Sequence, residues 1–155
     1  MKEIPLTQGK VTLVDDDDFE YLNQWKWYCS SNNYALRGAP KHIRMHRVIM
    51  RTPAGVFVDH INHNKLDNRK ENLRNCTKAE NCRNQLLFSS NTSGYKGVYF
   101  NKWNNKWMAQ LRCFGEHRHL GYFSNPEDAA RAYDKEAIKK FGEFALLNFS
   151  EAVCH

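Results

Sequence analysis

No run of apolar residues in this chain approaches the roughly 18 that a helix needs to cross a bilayer. The opening stretch, Met1 to Lys10, also lacks the apolar core of a secretory signal. These absences argue against a membrane-spanning or exported protein and leave cytoplasmic residence as the expectation. Paired cysteines are missing too. Cys29, Cys76, Cys82, Cys113 and Cys154 are odd in number, widely scattered and form no C-x-x-C pair. Neither a disulfide framework nor a zinc knuckle is indicated. A single zinc built from Cys76, Cys82 and two histidines is conceivable, but buried, inert thiols are the better reading.

What is present describes a folded, basic protein. A hydrophobic fraction of 41% with 13% aromatics is that of a globular chain. Its 155 residues allow one ordinary domain or two small ones. The net charge of +6 fits a polyanionic partner. Distribution says more than the total: acid is concentrated in Asp15-Asp16-Asp17-Asp18, whereas Lys41 to Arg51 and Lys65 to Arg83 are strongly basic. Four adjacent acids cannot converge on one ion from a regular strand or helix, so a solvated turn is expected there.

Texture divides the chain into three. Residues 1 to about 40 hold short β-like runs, Lys10 to Val14, Trp25 to Tyr28 and Tyr34 to Arg37, separated by turn-forming stretches. They predict a small antiparallel sheet. Next, Val56-Phe57-Val58 reads as a compact, buried apolar strand ending at Asp59-His60. A polar, asparagine-laden loop from Ile61 to Glu71 and a returning strand from Leu73 to Cys76 follow it. Thr77-Lys78-Ala79-Glu80 has the form of a capping box, predicting a helix to about Leu87 and a ββα unit. The expected boundaries are 1–87 for this half, 88–94 for a linker, 95–149 for a second module and 150–155 for a tail. In the second module, Tyr95 to Phe100, Trp107 to Phe114 and His117 to Tyr122 read as strands, with Gly115-Glu116 as a turn. Asn125-Pro126-Glu127-Asp128 supplies a cap, a proline at the first helical position and early acids. Ala129, Tyr133, Ala137 and Phe141, with Ala130 and Ile138 beside them, form an apolar stripe that Gly142 ends. The fold class expected is α+β.

Asp59-His60, Asn72 thirteen residues after Asp59, and Asn81 nine residues later would meet in such a ββα unit. Phosphodiester hydrolysis needs a hard cation and a base to deprotonate water. Asp59 and Asn81 offer oxygen ligands for Mg²⁺ or Mn²⁺. His60 can take a proton near neutral pH, and Asn72 can brace the loop so that His60 points inward. The bland alternative is a surface Asp-His pair among turn-forming asparagines.

Val58-Asp59-His60-Ile61-Asn62, Asp67-Asn68-Arg69-Lys70-Glu71-Asn72-Leu73-Arg74 and Glu80-Asn81-Cys82-Arg83-Asn84 resemble the HNH endonucleases of the phage and intron-associated homing type. The resemblance covers about residues 1 to 87. It implies His60 as general base, Asn72 as the residue that positions it, and Asn81 and Asp59 as metal ligands. Asparagine at the third motif position, in place of histidine, favours an oxygen-liganded Mg²⁺ or Mn²⁺ over zinc. Met45-His46-Arg47 also resembles the pattern upstream of the family's nuclease loop. It implies packing or phosphate contact for His46 and DNA contact for Arg47.

Residues 95 to 149 resemble the AP2 domain through Tyr95-Lys96-Gly97-Val98-Tyr99, Trp103, Trp107 to Arg112, His119 to Phe123 and Glu127 to Asp134. In that family a three-stranded sheet enters the major groove of DNA. Strand alternation tests this independently. Met108, Gln110 and Arg112 should share an outer face with Tyr99, Asn101, His117 and His119. Trp107, Ala109, Leu111 and Cys113 should lie under the helix, with Val98 and Phe100 on that side. Exposed Tyr99 and Trp103 among basic groups suit DNA contact better than plain solvation. The plant family's arginine-rich first strand is absent, so base preference does not carry over.

Together these readings describe a two-module, metal-dependent DNA endonuclease acting on double-stranded DNA as a single copy, with no small-molecule cofactor. The rivals are a non-catalytic DNA-binding protein retaining the HNH fold, and a non-specific nuclease or RNA-binding protein.

Overall fold

Two short strands on either side of a turn at Thr7–Gly9 fold the start of the chain into a hairpin that buries Ile4, Thr12 and Val14. In the computed structural model, which describes residues 1–38, 41–84, 91–113 and 116–149, strands β1 (Lys2–Pro5) and β2 (Val11–Val14) pair antiparallel with Ile4 opposite Thr12. The chain divides into two compact units, Met1–Asn81 and Cys82–His155. Both mix small antiparallel sheets with helices, as an α+β chain should. Among the described residues no helix is long and apolar enough to cross a membrane.

The acidic run is a helix start, not the expected solvated turn. Helix α1 (Asp16–Leu22) follows an extended Asp15, and Asp16, Asp17 and Asp18 fill its first turn. Unpaired N–H groups and the helix dipole favour carboxylates there, and Leu22 is buried beneath them. The run is also an anchor. Asp15 Oδ2 accepts the Lys70 N–H at 2.8 Å, and the Lys70 ammonium lies 2.8 Å from Asp18.

A second small sheet orders β3 (Tyr28–Cys29), β4 (Ala35–Arg37) and β5 (Ile43–Arg44) in sequence. The strand expected over Trp25 to Tyr28 shrinks to its end, because both tryptophans serve other contacts. Trp27 is buried with its indole N–H on the Leu22 carbonyl at 2.8 Å. Trp25 lies under the Arg37 guanidinium, 3.8 Å from its ring centroid. Helix α2 (Met45–Ile49) is too short for periodicity to reveal. It buries Met45, His46 and Ile49. Ile4, Val14, Leu22, Trp27, Ala35, Met45 and Leu73 lie in one core.

Strands β6 (Phe57–His60) and β7 (Leu73–Cys76) pair antiparallel, with Asp59 opposite Arg74 and His60 opposite Leu73. Helix α3 (Lys78–Arg83) follows. The expected apolar strand is the reverse of what forms: Phe57 is 40% exposed, while Asp59 and His60 are buried. Burial increases toward the end over which the 61–72 loop folds. The capping box forms as read. Thr77 Oγ1 accepts the Glu80 N–H at 3.2 Å, and the Glu80 carboxylate accepts the Thr77 N–H at 2.7 Å. The expected run of this helix to Leu87, residues 88–90 of the linker, Gly115 and the 150–155 tail lie outside the described residues.

In the second unit, β8 (Val98–Asn101), β9 (Lys106–Cys113) and β10 (Glu116–Phe123) form an antiparallel sheet ordered β10-β9-β8. The 16-residue helix α4 (Pro126–Phe141) packs on it. Asn125 caps this helix by accepting the Asp128 N–H at 2.8 Å. Ala109 and Leu111 are fully buried under it, as the alternation required. Ile138 departs from the expected stripe and is 53% exposed. Asp134 is buried instead, because its carboxylate receives the backbone N–H groups of Asn148 and Phe149, both at 2.9 Å, and ties the returning chain to the helix. Phe100 is also more exposed than expected, covered mainly by Trp107 at 5.0 Å between ring centroids. Gly97 has φ +73°, and a Cβ there would stand 2.1 Å from the Tyr133 ring, so only glycine lets sheet and helix approach this closely.

Candidate active site

Asparagine and aspartate side chains build the loop between β6 and β7 by replacing backbone partners. Asn62 Oδ1 accepts the Asn64 N–H at 2.8 Å, and Asn64 Oδ1 accepts the Leu66 N–H at 3.1 Å. Asn72, buried at the far end, crosses the loop: its Oδ1 accepts the Asn62 N–H at 2.9 Å and its Nδ2 donates to the Asp67 carbonyl at 2.8 Å. Its own carbonyl accepts the Ile61 N–H at 2.9 Å. Asp67 is clasped by Arg69 through Nε and Nη2, both at 2.7 Å, and by Asn62 Nδ2 at 2.9 Å. The Arg69 guanidinium holds the Asp67 carboxyl below its ordinary range.

His60 closes this loop from the strand side. The ring is buried, with Nε2 at 3.1 Å from Asn68 Oδ1. The His46 ring stands edge-on at 5.1 Å and that of Tyr34 at 6.1 Å. Burial lowers the His60 pKa from 6.5, against the opposing pull of Asn68, Asp59 and Asp67. A neutral imidazole, able to accept a proton, is therefore its state at neutral pH.

His46 is packed rather than exposed, between Tyr34 at 5.3 Å and His60. Burial, with smaller contributions from His60, Arg44 and Arg47, pushes it down to about 3. Its folded value lies below its unfolded one, so the unfolded chain binds this proton more readily. Stability is full above about pH 6.5 and is lost as the pH falls toward about 3. Thermal melts from pH 7.5 to 4 should show the first unit weakening over this window, and His46→Phe should flatten the slope.

Asp59 faces Arg74 across the ribbon. Its Oδ2 accepts from Arg74 Nε at 3.0 Å and Nη2 at 2.8 Å, which orients a buried carboxylate. Asn81 is placed by the capping box, one turn into α3, with its N–H on the Thr77 carbonyl at 3.0 Å. Pairing of β6 with β7 thus brings Asp59, His60 and Asn72 together, and Asn81 stands on the helix that follows. Among the described residues no group of three His, Cys, Asp or Glu side chains could hold a metal. Cys76 is buried, and its thiol is pushed up to about 11 by that burial, so it is protonated at neutral pH. The Cys82 side chain lies outside the described residues. A carboxylate and an amide carbonyl are hard oxygen donors of the kind that Mg²⁺ or Mn²⁺ takes.

Arg47 has its guanidinium on three carbonyls, those of Val56 at 2.7 Å, Pro53 at 2.8 Å and Thr52 at 3.2 Å. It holds the turn that leads into β6. Sequence reasoning missed Asn68, Arg74 and Thr12. Cross-strand position could have exposed Arg74. Thr12 carries no local signal, because its partners lie more than fifty residues away.

On the second unit's sheet, the outer face carries Tyr99, Met108, Gln110, Arg112, His117 and His119, with Arg112 opposite His117 and Gln110 opposite His119. Gln110 Nε2 and His117 Nδ1 are 2.8 Å apart. Trp103, at the β8–β9 turn, is 99% exposed, and Asn101 Oδ1 accepts its N–H at 2.9 Å. A register shift between His119 and Gly121 turns Tyr122 outward, opposite Met108. This addition was hidden by the imperfect alternation of the third strand. Arg118 points to the helix side, where it pairs with Glu136 at 2.8 Å.

Comparison with known proteins agrees with both halves. A family model described as HNH endonuclease matches residues 45–83. An uncharacterized HNH endonuclease of Acanthamoeba polyphaga mimivirus is 31% identical over 147 residues, covering 91% of this chain and 76% of the relative. An ethylene-responsive transcription factor of Arabidopsis thaliana is 44% identical over 59 residues, 37% of this chain and 32% of that protein. APETALA2-like protein 2 of Oryza sativa subsp. indica is 39% identical over 61 residues, 39% of this chain and 14% of that protein.

Proposed function

Because the chain belongs to the HNH endonuclease family, we propose that it is a metal-dependent DNA endonuclease of the homing type, with a cutting half at 1–87 and an AP2-like reading half at 95–149. The observation that carries the cutting role is His60: a buried imidazole, next in sequence to a buried carboxylate, in a loop that Asn72 braces at both ends. His60 takes a proton from the attacking water. Asp59 and Asn81 hold Mg²⁺ or Mn²⁺, which offsets charge on the phosphate and the leaving oxygen. Arg74 keeps the Asp59 carboxylate aimed, and Asn72 keeps the loop from swinging His60 away. Reading falls to Tyr99, Asn101, Trp103, Gln110, Arg112, His117 and His119, whose mix of aromatics, amides and cations suits base edges and phosphates.

The test is cleavage of a plasmid by the full chain with added Mg²⁺, with Mn²⁺ and with chelator. Strand breaks that require the cation are expected. Arg112→Ala should weaken binding while leaving the cutting half folded. If Arg112 meets a phosphate, the loss should be equal across sequences and the salt slope should fall by about one. If it meets a guanine, the loss should be about 1–3 kcal/mol and confined to the preferred site. Tight DNA binding without breaks under any cation would favour a non-catalytic DNA-binding protein that retains the HNH fold.

A further inference from the structure

Between Glu20 and Asp59 the sequence holds no acidic residue, while Lys26, Arg37, Lys41, Arg44, Arg47 and Arg51 all fall within that stretch. The sheet of β3, β4 and β5 is built wholly from it. Its cations have no carboxylate near them in sequence, and folding does not supply one. Among the described residues Lys26, Arg37, Lys41 and Arg44 make no ion pair.

Arg37 is held in place by aromatic rings. Ala35 and Arg37 share one side of β4; Ala35 is buried in the core, and Arg37, at the strand's end, is half-buried. Its guanidinium lies 3.8 Å from the Trp25 ring centroid and 5.5 Å from that of Trp27. Both indoles are fixed. Trp27 donates its N–H to the Leu22 carbonyl, and Trp25 packs edge-on against Tyr21 at 4.7 Å. Stacking uses the flat face of a guanidinium and leaves its N–H donors in the plane, unsatisfied by the rings. Arg47, in the same unit, gives its donors to three carbonyls. Those of Arg37 meet no acceptor among the described residues, and Nε is sealed from solvent as well. The terminal Nη1 and Nη2 are the donors left to reach outward, side by side and in fixed orientation.

We propose that Arg37, stacked on Trp25 and Trp27, is a phosphate-binding fork, and that its ligand is a phosphate of the DNA backbone. Two parallel N–H donors on a permanent cation match two phosphate oxygens. A free phosphate offers the same oxygens, but cations spread over a whole acid-free sheet, Lys26, Lys41 and Arg44 beside Arg37, complement a polyanion. The proposal rests on the reading of the chain as a DNA-binding nuclease. It gives the cutting half its own hold on the duplex, outside the 45–83 family match.

¹H–¹⁵N NMR of the arginine side chains in the full chain reads the contact directly, with Arg37→Lys identifying the Arg37 signals by their loss. Duplex DNA, added with chelator so that nothing is cut, should shift the Arg37 Nη signals and slow rotation of the terminal groups. Inorganic phosphate alone at low millimolar concentration should not. If it does so as well as DNA, the site takes free phosphate and the DNA assignment is overturned. Binding measured over a salt series gives the second readout. Arg37→Gln should lose about 10-fold in affinity, equally for unrelated sequences, and its salt slope should fall by about one. Arg37→Lys keeps the charge without the fork, so it should keep the slope and lose only part of the affinity. An unchanged slope in Arg37→Gln, or Nη signals that DNA does not move, overturns the proposal while leaving the nuclease reading intact. Should Arg37→Gln fail to fold, the wild-type spectra and Arg37→Lys decide. A wild-type chain that binds no duplex overturns the nuclease reading, and the DNA assignment of Arg37 with it.

Discussion

His60→Ala is expected to lower the cleavage rate by about 10² to 10⁴ while DNA binding stays within a few-fold, because a positioned base contributes on that scale. The reading sheet lies in the other unit and keeps its contacts, so a gel-shift assay should barely change. The substitution also removes a ring that packs on His46 and Tyr34, so it carries a stability cost of its own. Assaying well below the melting temperature, with His60→Gln in parallel, separates the two effects: glutamine fills much of the space without supplying a base. Metal-dependent cleavage at the full rate by either variant at neutral pH would remove His60 from the chemistry.

Leu111→Asp should unfold the second unit. Leu111 is 1% exposed and packs with Tyr133, Ala137 and Phe141 of α4. An aspartate there must either leave a charge without a partner in an apolar layer or take up a proton, and both cost several kcal/mol. A unit of this size has only a few kcal/mol of net stability to lose. Hydrogen exchange should show α4 and β9 amides losing protection together, while those of β6 and β7, in a unit with its own core, remain slow. Retained protection in α4 would mean that the faces of the sheet are assigned the wrong way round.

Local signals were read well where one element carried them. Asn125, Pro126 and the stripe from Ala129 to Phe141 described α4 almost completely, because sixteen residues average out exceptions such as Ile138. The Thr77–Glu80 box was equally plain, since both partners lie within one turn. Asp59, His60 and Asn72 were named together from residue type and spacing, and the pairing of β6 with β7 puts all three at the loop end of the ribbon. Contacts across long sequence distances were not legible. The acidic run looked like solvated charge because Lys70, its cation, lies more than fifty residues away. Asn68 looked like one more turn-forming asparagine in a loop full of them. Tyr122 was turned outward by a register shift that strict alternation cannot foresee.

The β2 strand has one more consequence, and it concerns timing. Leu13 exchanges backbone hydrogen bonds with Leu66 and Asn68, at 2.8 and 2.9 Å, so residues 11–14 meet the 61–72 loop only after more than fifty further residues have left the ribosome. Closing a loop of that length is slow beside the microsecond pairing of β6 with β7. The ribbon bearing Asp59 and His60 can thus exist for a time without its support. During refolding, strand pairing should precede competence to cut, and activity should rise with the docking of residues 11–14. In the proposed nuclease, the centre that cuts stays inert until residues 11–14 have docked, which spares the nucleic acids around a partly folded chain.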